Sequence, residues 1–293
     1  MNRVSLFLFA SALLFLNIPL LSGQALPKRE MMTPAAPGVP EYAVFAGDTI
    51  WLDTPARRER MDRELLSFTN MHTTSILMLK RSERYFTMVV PILKEQGIPE
   101  DFKYMMAIES SLDPKAVSKA GAAGLWQFTK ATAQTYKLEV NDAVDERYHI
   151  EKETVAACQF LKDAYAKFGD WMTVAASYNA GQKRLEDSIA LQGEPSGLEL
   201  WLPEETMRYL YRLMTAKLFF EHPEAFGFNV PRAERYPYIP PSGRVVVNTT
   251  IPDLAAFARE QGTTYARLKE ANLWLRSTSL PDKSGKTYVI LLL

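Results

Sequence analysis

The sequence predicts a mainly α protein that carries a small β-α-α-β unit toward its C-terminal end. Three observations support this. Helix-spaced apolar residues, with matching start and stop signals, run from about residue 75 to 225. A stretch over residues 229–243 with four prolines then breaks the pattern. Beyond it, Arg244–Asn248 and Thr287–Leu292 have strand character and flank two short helical segments.

The chain opens with Arg3 followed by an almost wholly apolar run, Val4 to Leu16, broken by Asn17, Pro19, Ser22 and Gly23. Residues 1–25 read as a secretory signal peptide, with small residues at Gly23 and Ala25 for cleavage. The alternative is an uncleaved anchor through which the chain would associate with a membrane; Asn17 and Pro19 leave the run short for a span. Cys158 is the single cysteine, so the chain has no lipid-anchoring cysteine near its start and no internal disulfide. Its apolar neighbours predict a small buried filler. The 293 residues carry 34 basic and 34 acidic side chains, and this balance provides no basic footprint for nucleic acid.

Residues 26–40, with four prolines, read as a linker. A helical domain is expected over 41–228, with its core at 80–222, and the charged run Arg57-Arg58-Glu59-Arg60 as a solvated helix face. Leu77 to Gln96 predicts a helix stopped by Gly97. Pro99 starts the next, which runs through Met106 to Glu109 and is stopped by Pro114. Thr129 is an N-cap for 130–136, residues 151–168 form an amphipathic helix ended by Gly169, and Asp170 caps Trp171 to Asn179. Pro203 opens a helix to about Glu221. After the 229–243 linker, residues 244–293 form the small unit, with helices over Leu254–Gln261 and Tyr265–Asn272.

Within this frame Glu109 stands out, a carboxylate that ends the apolar run Tyr104-Met105-Met106-Ala107-Ile108. Burial by these neighbours and the C-terminal end of the helix dipole both favour its protonated form, as a general acid requires. The plain alternative is a surface glutamate at a helix end. Downstream, Gly121 and Gly124 let the backbone approach a ligand, and Gln127 offers both a donor and an acceptor. Trp126 and Phe128 read as core. Tyr178-Asn179 precedes Gly181 and is equally a helix C-cap.

Glu109-Ser110, Gly124-Leu125-Trp126-Gln127 and Ser177-Tyr178-Asn179-Ala180-Gly181 follow one another in the order and spacing of the transglycosylase SLT domain. Gly97 to Tyr104 and Glu205-Thr206-Met207-Arg208-Tyr209 extend the likeness over roughly residues 80–222. The chain resembles a family 1 lytic murein transglycosylase, closest to the membrane-bound type D subgroup; Ser177 stands where alanine is commoner. The resemblance implies a lysozyme-like helical domain that cleaves between N-acetylmuramic acid and N-acetylglucosamine, without cofactor or metal, in the periplasm or cell envelope. It implies Glu109 as both acid and base, with the muramoyl 6-hydroxyl attacking C1 to form a 1,6-anhydro ring. Ser110, Gln127, Tyr178, Asn179 and Tyr209 fall at substrate-binding positions, and peptidoglycan strands are the implied partner.

Residues 244–293 resemble a LysM peptidoglycan-binding module, through Tyr265 to Asn272 and Leu280 to Ile290. The usual Gly-Asp-Thr-Leu is replaced by Thr249 to Leu254, so the resemblance carries the fold of the unit but not its glycan binding. Gly47-Asp48-Thr49-Ile50-Trp51 is similar to that opening, but without the rest of the module it reads as chance. His72, His149 and His222 are scattered, with no His-Glu-x-x-His, and no Gly-x-Ser-x-Gly is present. The rival readings are a water-using muramidase, with Asp142 or Asp145 as its base, and a non-catalytic envelope-binding protein.

Overall fold

A computed structural model of the chain describes residues 36–282 and 285–293. The signal-peptide segment 1–25 and the first part of the 26–40 linker lie outside the described residues. None of the described helices is long and apolar enough to cross a membrane.

The first elements were not expected from the sequence. Strands β1 (Tyr42–Phe45) and β2 (Asp48–Trp51) form an antiparallel hairpin, with Tyr42 opposite Trp51 and Phe45 opposite Asp48. Its turn places Ala46 and Gly47 at φ of 54° and 93°, a left-handed pair that suits the twist of a two-residue hairpin. The Gly47–Trp51 stretch is therefore the second half of this hairpin. Phe45 is fully buried and meets Phe102 edge-on at 5.4 Å. The Ala46 amide donates to an Asp101 carboxylate oxygen at 2.8 Å. The hairpin is thus fastened to the start of the helix that carries Glu109.

Helices α1 (Pro55–Asn70) and α2 (His72–Glu95) follow, with Thr54 capping α1 through the Arg57 amide. α2 begins earlier than its apolar periodicity suggests, at His72. Helix α3 (Phe102–Ser110) begins after a turn, because Pro99 to Asp101 accept three-residue-spaced bonds from Phe102, Lys103 and Tyr104. Helices α4 (Lys130–Thr135), α5 (Ile150–Phe168), α6 (Trp171–Ala180) and α8 (Glu204–Glu221) match the expected ranges to within a few residues. Thr129 and Asp170 cap α4 and α6 as their positions predict. Helix α7 (Gln182–Gln192) is additional. Gly181, at φ 88° and ψ 139°, breaks the chain for one residue and lets it re-enter a helix.

One apolar core gathers the hairpin and helices, with Phe102, Met105, Met106 and Ala107 of α3 at its centre and fully buried. Cys158 is buried in this core, which pushes its thiol up to about 12. The stretch 229–243 is strapped along α2. Val230 enters the core, the Tyr236 amide donates to Lys80 O at 2.8 Å, and Arg232 pairs with Glu83.

The small unit has the expected order. Strands β3 (Gly243–Val247) and β4 (Tyr288–Leu292) pair antiparallel, from Gly243 opposite Leu292 to Val247 opposite Tyr288. Between them lie α9 (Leu254–Glu260), capped by Asp253, and α10 (Tyr265–Ala271), capped by Thr264. Buried Asn272 ties α10 to β4, donating to Leu268 O and Leu291 O and accepting from the Leu291 amide. This unit does not close its core alone. Ala123, Val144 and Tyr148, from the segment between α3 and α5, complete a cluster with Leu254, Leu268, Trp274 and Ile290.

If the hairpin is integral to the helical unit, Phe45→Ala should lower unfolding free energy by about 3–5 kcal/mol. Denaturant titration followed by far-UV circular dichroism measures this; a change below about 1 kcal/mol would show the hairpin to be peripheral.

Candidate active site

Glu109 sits in the last turn of α3. The helix stops because Ser111 and Leu112 adopt φ of 52° and 55°, and fully buried Leu112 anchors the turn. Two neighbours in sequence take different directions. The Ser110 hydroxyl is buried and donates back to the Met106 carbonyl at 3.1 Å, so it does not reach the Glu109 carboxyl. Glu109 keeps partial solvent access and faces α8.

On α8, Glu205, Tyr209 and Arg212 share one face, at spacings of four and three residues. The Tyr209 hydroxyl donates to Glu109 Oε1 at 2.6 Å. Arg212 is held by Glu64 of α1, whose carboxylate accepts from Arg208 Nε at 2.7 Å and Arg212 Nε at 3.2 Å. The Glu64 side chain is 1% exposed, so this clamp fixes α8 against α1 from a buried anchor. Desolvation raises the Glu109 carboxyl to about 7; the Tyr209 hydrogen bond and the Arg212 charge oppose it, and Glu205 adds to it. Burial and the adjacent carboxylate push the Tyr209 phenol well above its ordinary value, so it stays a donor.

The loop between α3 and α4 approaches the same site. Gly124, at φ 83°, passes directly over the Arg147 carbonyl and the Glu153 carboxylate, where any Cβ would overlap both. Glu153 is fully buried and accepts from the Leu125 and Trp126 amides at 3.3 and 3.2 Å. Its carboxyl is raised well above the ordinary range by burial, against those two bonds. Trp126 and Phe128 are core, as the sequence indicates, and the Trp126 indole donates to Thr154 at 2.9 Å. Gln127 adopts φ 52°, and its side-chain Nε2 donates to Gly124 O at 2.8 Å and Ala116 O at 3.1 Å. That nitrogen is committed to the loop.

Tyr178 of α6 connects loop and carboxyl. Its hydroxyl donates to Trp126 O at 2.6 Å, and its phenol is raised first by burial and then by the Glu109 charge. Asn179 is half-buried at the end of α6, without a hydrogen bond to Glu109. The structure therefore joins Glu109 with Tyr209 directly and with Tyr178 electrostatically. Gln127 belongs to the loop that Tyr178 holds. A cavity of about 780 Å³, lined among others by Tyr136, Glu146, Gln159 and Lys286, does not include Glu109.

The sequence reading missed Glu153, Arg147 and Arg212 as site residues, and took Glu205 only as part of the Glu205–Tyr209 motif. The α8 face offered a signal for the last two, since both stand at helical spacing from Tyr209; nothing local marked Glu153. Asp145 and Asp142, the two carboxylates suggested as a base, are placed differently. Asp145 is buried in a fork with Arg147, at 2.9 and 2.7 Å, and Asp142 is exposed.

Two outcomes follow. Gly124→Ala should destabilise the protein by roughly 2–4 kcal/mol in a melting experiment, since both its φ and the space are lost. Because the Glu109 carboxyl is raised in the folded state, the folded protein holds more protons than the unfolded chain from about pH 4.5 to 7, so stability falls as pH rises through that window. Glu109→Gln should therefore stabilise the protein by about 1–3 kcal/mol at pH 8, and the gain should vanish near pH 4.5. Equal melting shifts at both pH values would contradict the raised carboxyl.

Residues 91–200 match the family described as transglycosylase SLT domain, and residues 243–292 the soluble lytic transglycosylase C-terminal LysM-like domain. Membrane-bound lytic murein transglycosylase D of Escherichia coli K12 is 25% identical over 254 residues, covering 84% of this chain and 54% of that protein. Peptidoglycan transglycosylase gp16 of Escherichia phage T7 is 37% identical over 108 residues, covering 36% of this chain and 8% of that one. A solved structure of an inactive mutant of lytic transglycosylase Slt from Pseudomonas aeruginosa overlaps 51% of this chain and 26% of that chain, at 17% identity and a TM-score of 0.37. The chain spans about half the length of the type D relatives it matches. By these matches the chain is similar to the lytic murein transglycosylases, with a segment like the SLT domain at residues 91–200 followed by one like the LysM-like domain at 243–292.

Proposed function

We propose that this chain is a lytic transglycosylase that acts on peptidoglycan in the cell envelope, cleaving the β-1,4 bond between N-acetylmuramic acid and N-acetylglucosamine. The Glu109 carboxyl gives its proton to the glycosidic oxygen as the C1–O bond breaks. As carboxylate, it takes the proton of the muramoyl 6-hydroxyl while that oxygen bonds to C1. A 1,6-anhydro ring forms, no water is consumed, and Glu109 returns to its acid form. Tyr209, Tyr178, Gln127 and Asn179 would line the sugar site, with Ser110 supporting the end of α3.

One observation supports this reading above the rest. Glu109 has a carboxyl raised to about 7 by desolvation and a single fixed donor, Tyr209. A group poised near neutral pH can serve as acid and then base in one turnover. An ordinary glycosidase pairs two carboxyl groups across the bond. Here Asp145 is committed to Arg147, which removes it from that role. Glu205 supports a second reading, because it is the other carboxylate whose charge acts on Glu109. In a muramidase it would hold the attacking water.

Mass spectrometry of digested, purified peptidoglycan separates the two. Anhydromuramoyl ends are expected; reducing ends that have gained water would establish the hydrolase. Glu109→Gln should reduce cleavage by about 10²–10⁴-fold while the protein stays folded. Retained cleavage would move the acid elsewhere, and a wild-type protein that binds peptidoglycan without cutting it would leave an envelope-binding role.

The pH profile gives a further check. The acid must be protonated to start, so the rate should fall as pH rises above about 7. The Tyr209 hydrogen bond stabilises the carboxylate and lowers this value, so Tyr209→Phe should move the alkaline limb upward. A downward shift would contradict the assignment.

A further inference from the structure

A largely buried network of polar contacts connects the LysM-like unit to the loop of residues 121–128. It begins at the start of the loop after α10. The Asp145 amide donates to Trp274 O at 2.9 Å, the Arg276 amide to Ala143 O at 2.8 Å, and Val144 bridges Leu275. The Trp274 ring stacks between His149 and Tyr288, at 5.9 and 5.6 Å. The Arg276 guanidinium lies 4.4 Å over the Tyr148 ring. Lys286 adds a charged clasp, paired with Glu139 and standing 3.6 Å from Glu146.

From this seam the network turns inward. Both Asp145 oxygens grip the Arg147 guanidinium. The same guanidinium donates through Nη1 to Gly121 O at 2.8 Å and to Phe128 O at 3.2 Å, the two ends of the loop that contains Gly124 and Gln127. Between those ends Ala123 is fully buried, and it packs in the core of the LysM-like unit rather than in that of the helical unit. Polar chain and apolar contact thus lead independently from the unit to the same eight-residue segment, residues 121–128.

We infer that the LysM-like unit serves the active site as a fixed support, and that Asp145 and Arg147 are positioning residues which transmit its placement to the loop bearing Gln127. The unit differs in this from a tethered module that only retains glycan. Its contribution is to hold the Gly121–Phe128 backbone at the distance where Tyr178 can bind Trp126 O and face Glu109. The kinetic part of this inference rests on the transglycosylase reading; the structural part does not.

The full chain provides the test, in two variants that leave the acid intact. Arg147→Lys keeps the charge but replaces the planar fork, which makes four bonds to Asp145, Gly121 and Phe128, by one nitrogen with three donors. Lys286→Glu opposes Glu139 and Glu146 from the LysM-like side without entering either core. Hydrogen–deuterium exchange should show amides in residues 121–128 exchanging about tenfold faster in Arg147→Lys, and measurably faster in Lys286→Glu, while α2 and α8 stay protected. On a soluble, peptide-free tetrasaccharide of the glycan strand, kcat should fall about tenfold in Arg147→Lys with KM within about twofold. Unchanged loop exchange in both variants would overturn the inference. So would unchanged kcat on the tetrasaccharide accompanied by weaker binding to sedimented peptidoglycan in Lys286→Glu, the result expected of an independent glycan-binding module. If the wild-type protein forms no anhydro product, the functional reading fails and the exchange measurement still decides the support.

Discussion

The site depends on one constraint, the burial of the Glu153 carboxyl group directly beneath Gly124. A fully buried acid needs partners, and the Leu125 and Trp126 amides supply them. Only a residue without a side chain can cross over it, at a φ that glycine adopts without strain. The loop then has one path. Trp126 turns its indole into the core toward Thr154 and leaves its carbonyl for Tyr178. Gln127 closes the turn on itself. A single buried carboxyl group therefore organises the backbone on one side of Glu109, although it has no part in the proposed chemistry.

The opposite side is set by α8 and depends on charge as well as shape. Glu64 anchors Arg208 and Arg212 from α1, and Arg212 in turn moderates the field at Glu109. The acid is held between opposing influences: burial raises it, while a phenol and a guanidinium hold it down. Removing all desolvation would leave an ordinary ionised glutamate, and removing all compensation would leave an acid too weak to ionise at neutral pH. The position of the carboxyl near neutrality is a property of the assembly of α1, α3 and α8, and of no one residue.

Much of this was legible in the chain. The helix caps at Thr129 and Asp170 and the stop at Gly169 work through local bonds, and local bonds leave local signatures. The order β-α-α-β of residues 244–293 was visible because two short apolar, β-branched runs flank two helical segments there. Glu109, Tyr209 and the Gly124–Gln127 loop were recognised through motif resemblance, and the structure adds the bond of Tyr209 to Glu109 and the hold of Tyr178 on the loop. The N-terminal hairpin was missed because its strands are four residues each and its turn relies on Ala46 in a left-handed conformation, which composition does not announce. Helix α7 was missed because Gly181 reads as a terminator, whereas its backbone angles end one helix and begin another. Glu153 was invisible for a different reason. On α5 it looks like any surface glutamate, and only the tertiary approach of Gly124 buries it.

The shared core of Ala123 with the LysM-like unit has a consequence for the order of folding. Tyr288 reaches Glu139 across 149 residues of sequence, and Ala123 meets the same unit across a comparable separation. Contacts of such range carry a large loop-closure entropy and form late. The α1–α8 clamp has the same range, with Glu64 meeting Arg208 across 144 residues, so both it and the Gly121–Phe128 segment wait on nearer contacts such as those of α5 with α6. On this route the nearer helix pairs would exist before the proposed catalytic geometry does. Competence would arrive only in the last step, when two distant parts of the chain meet.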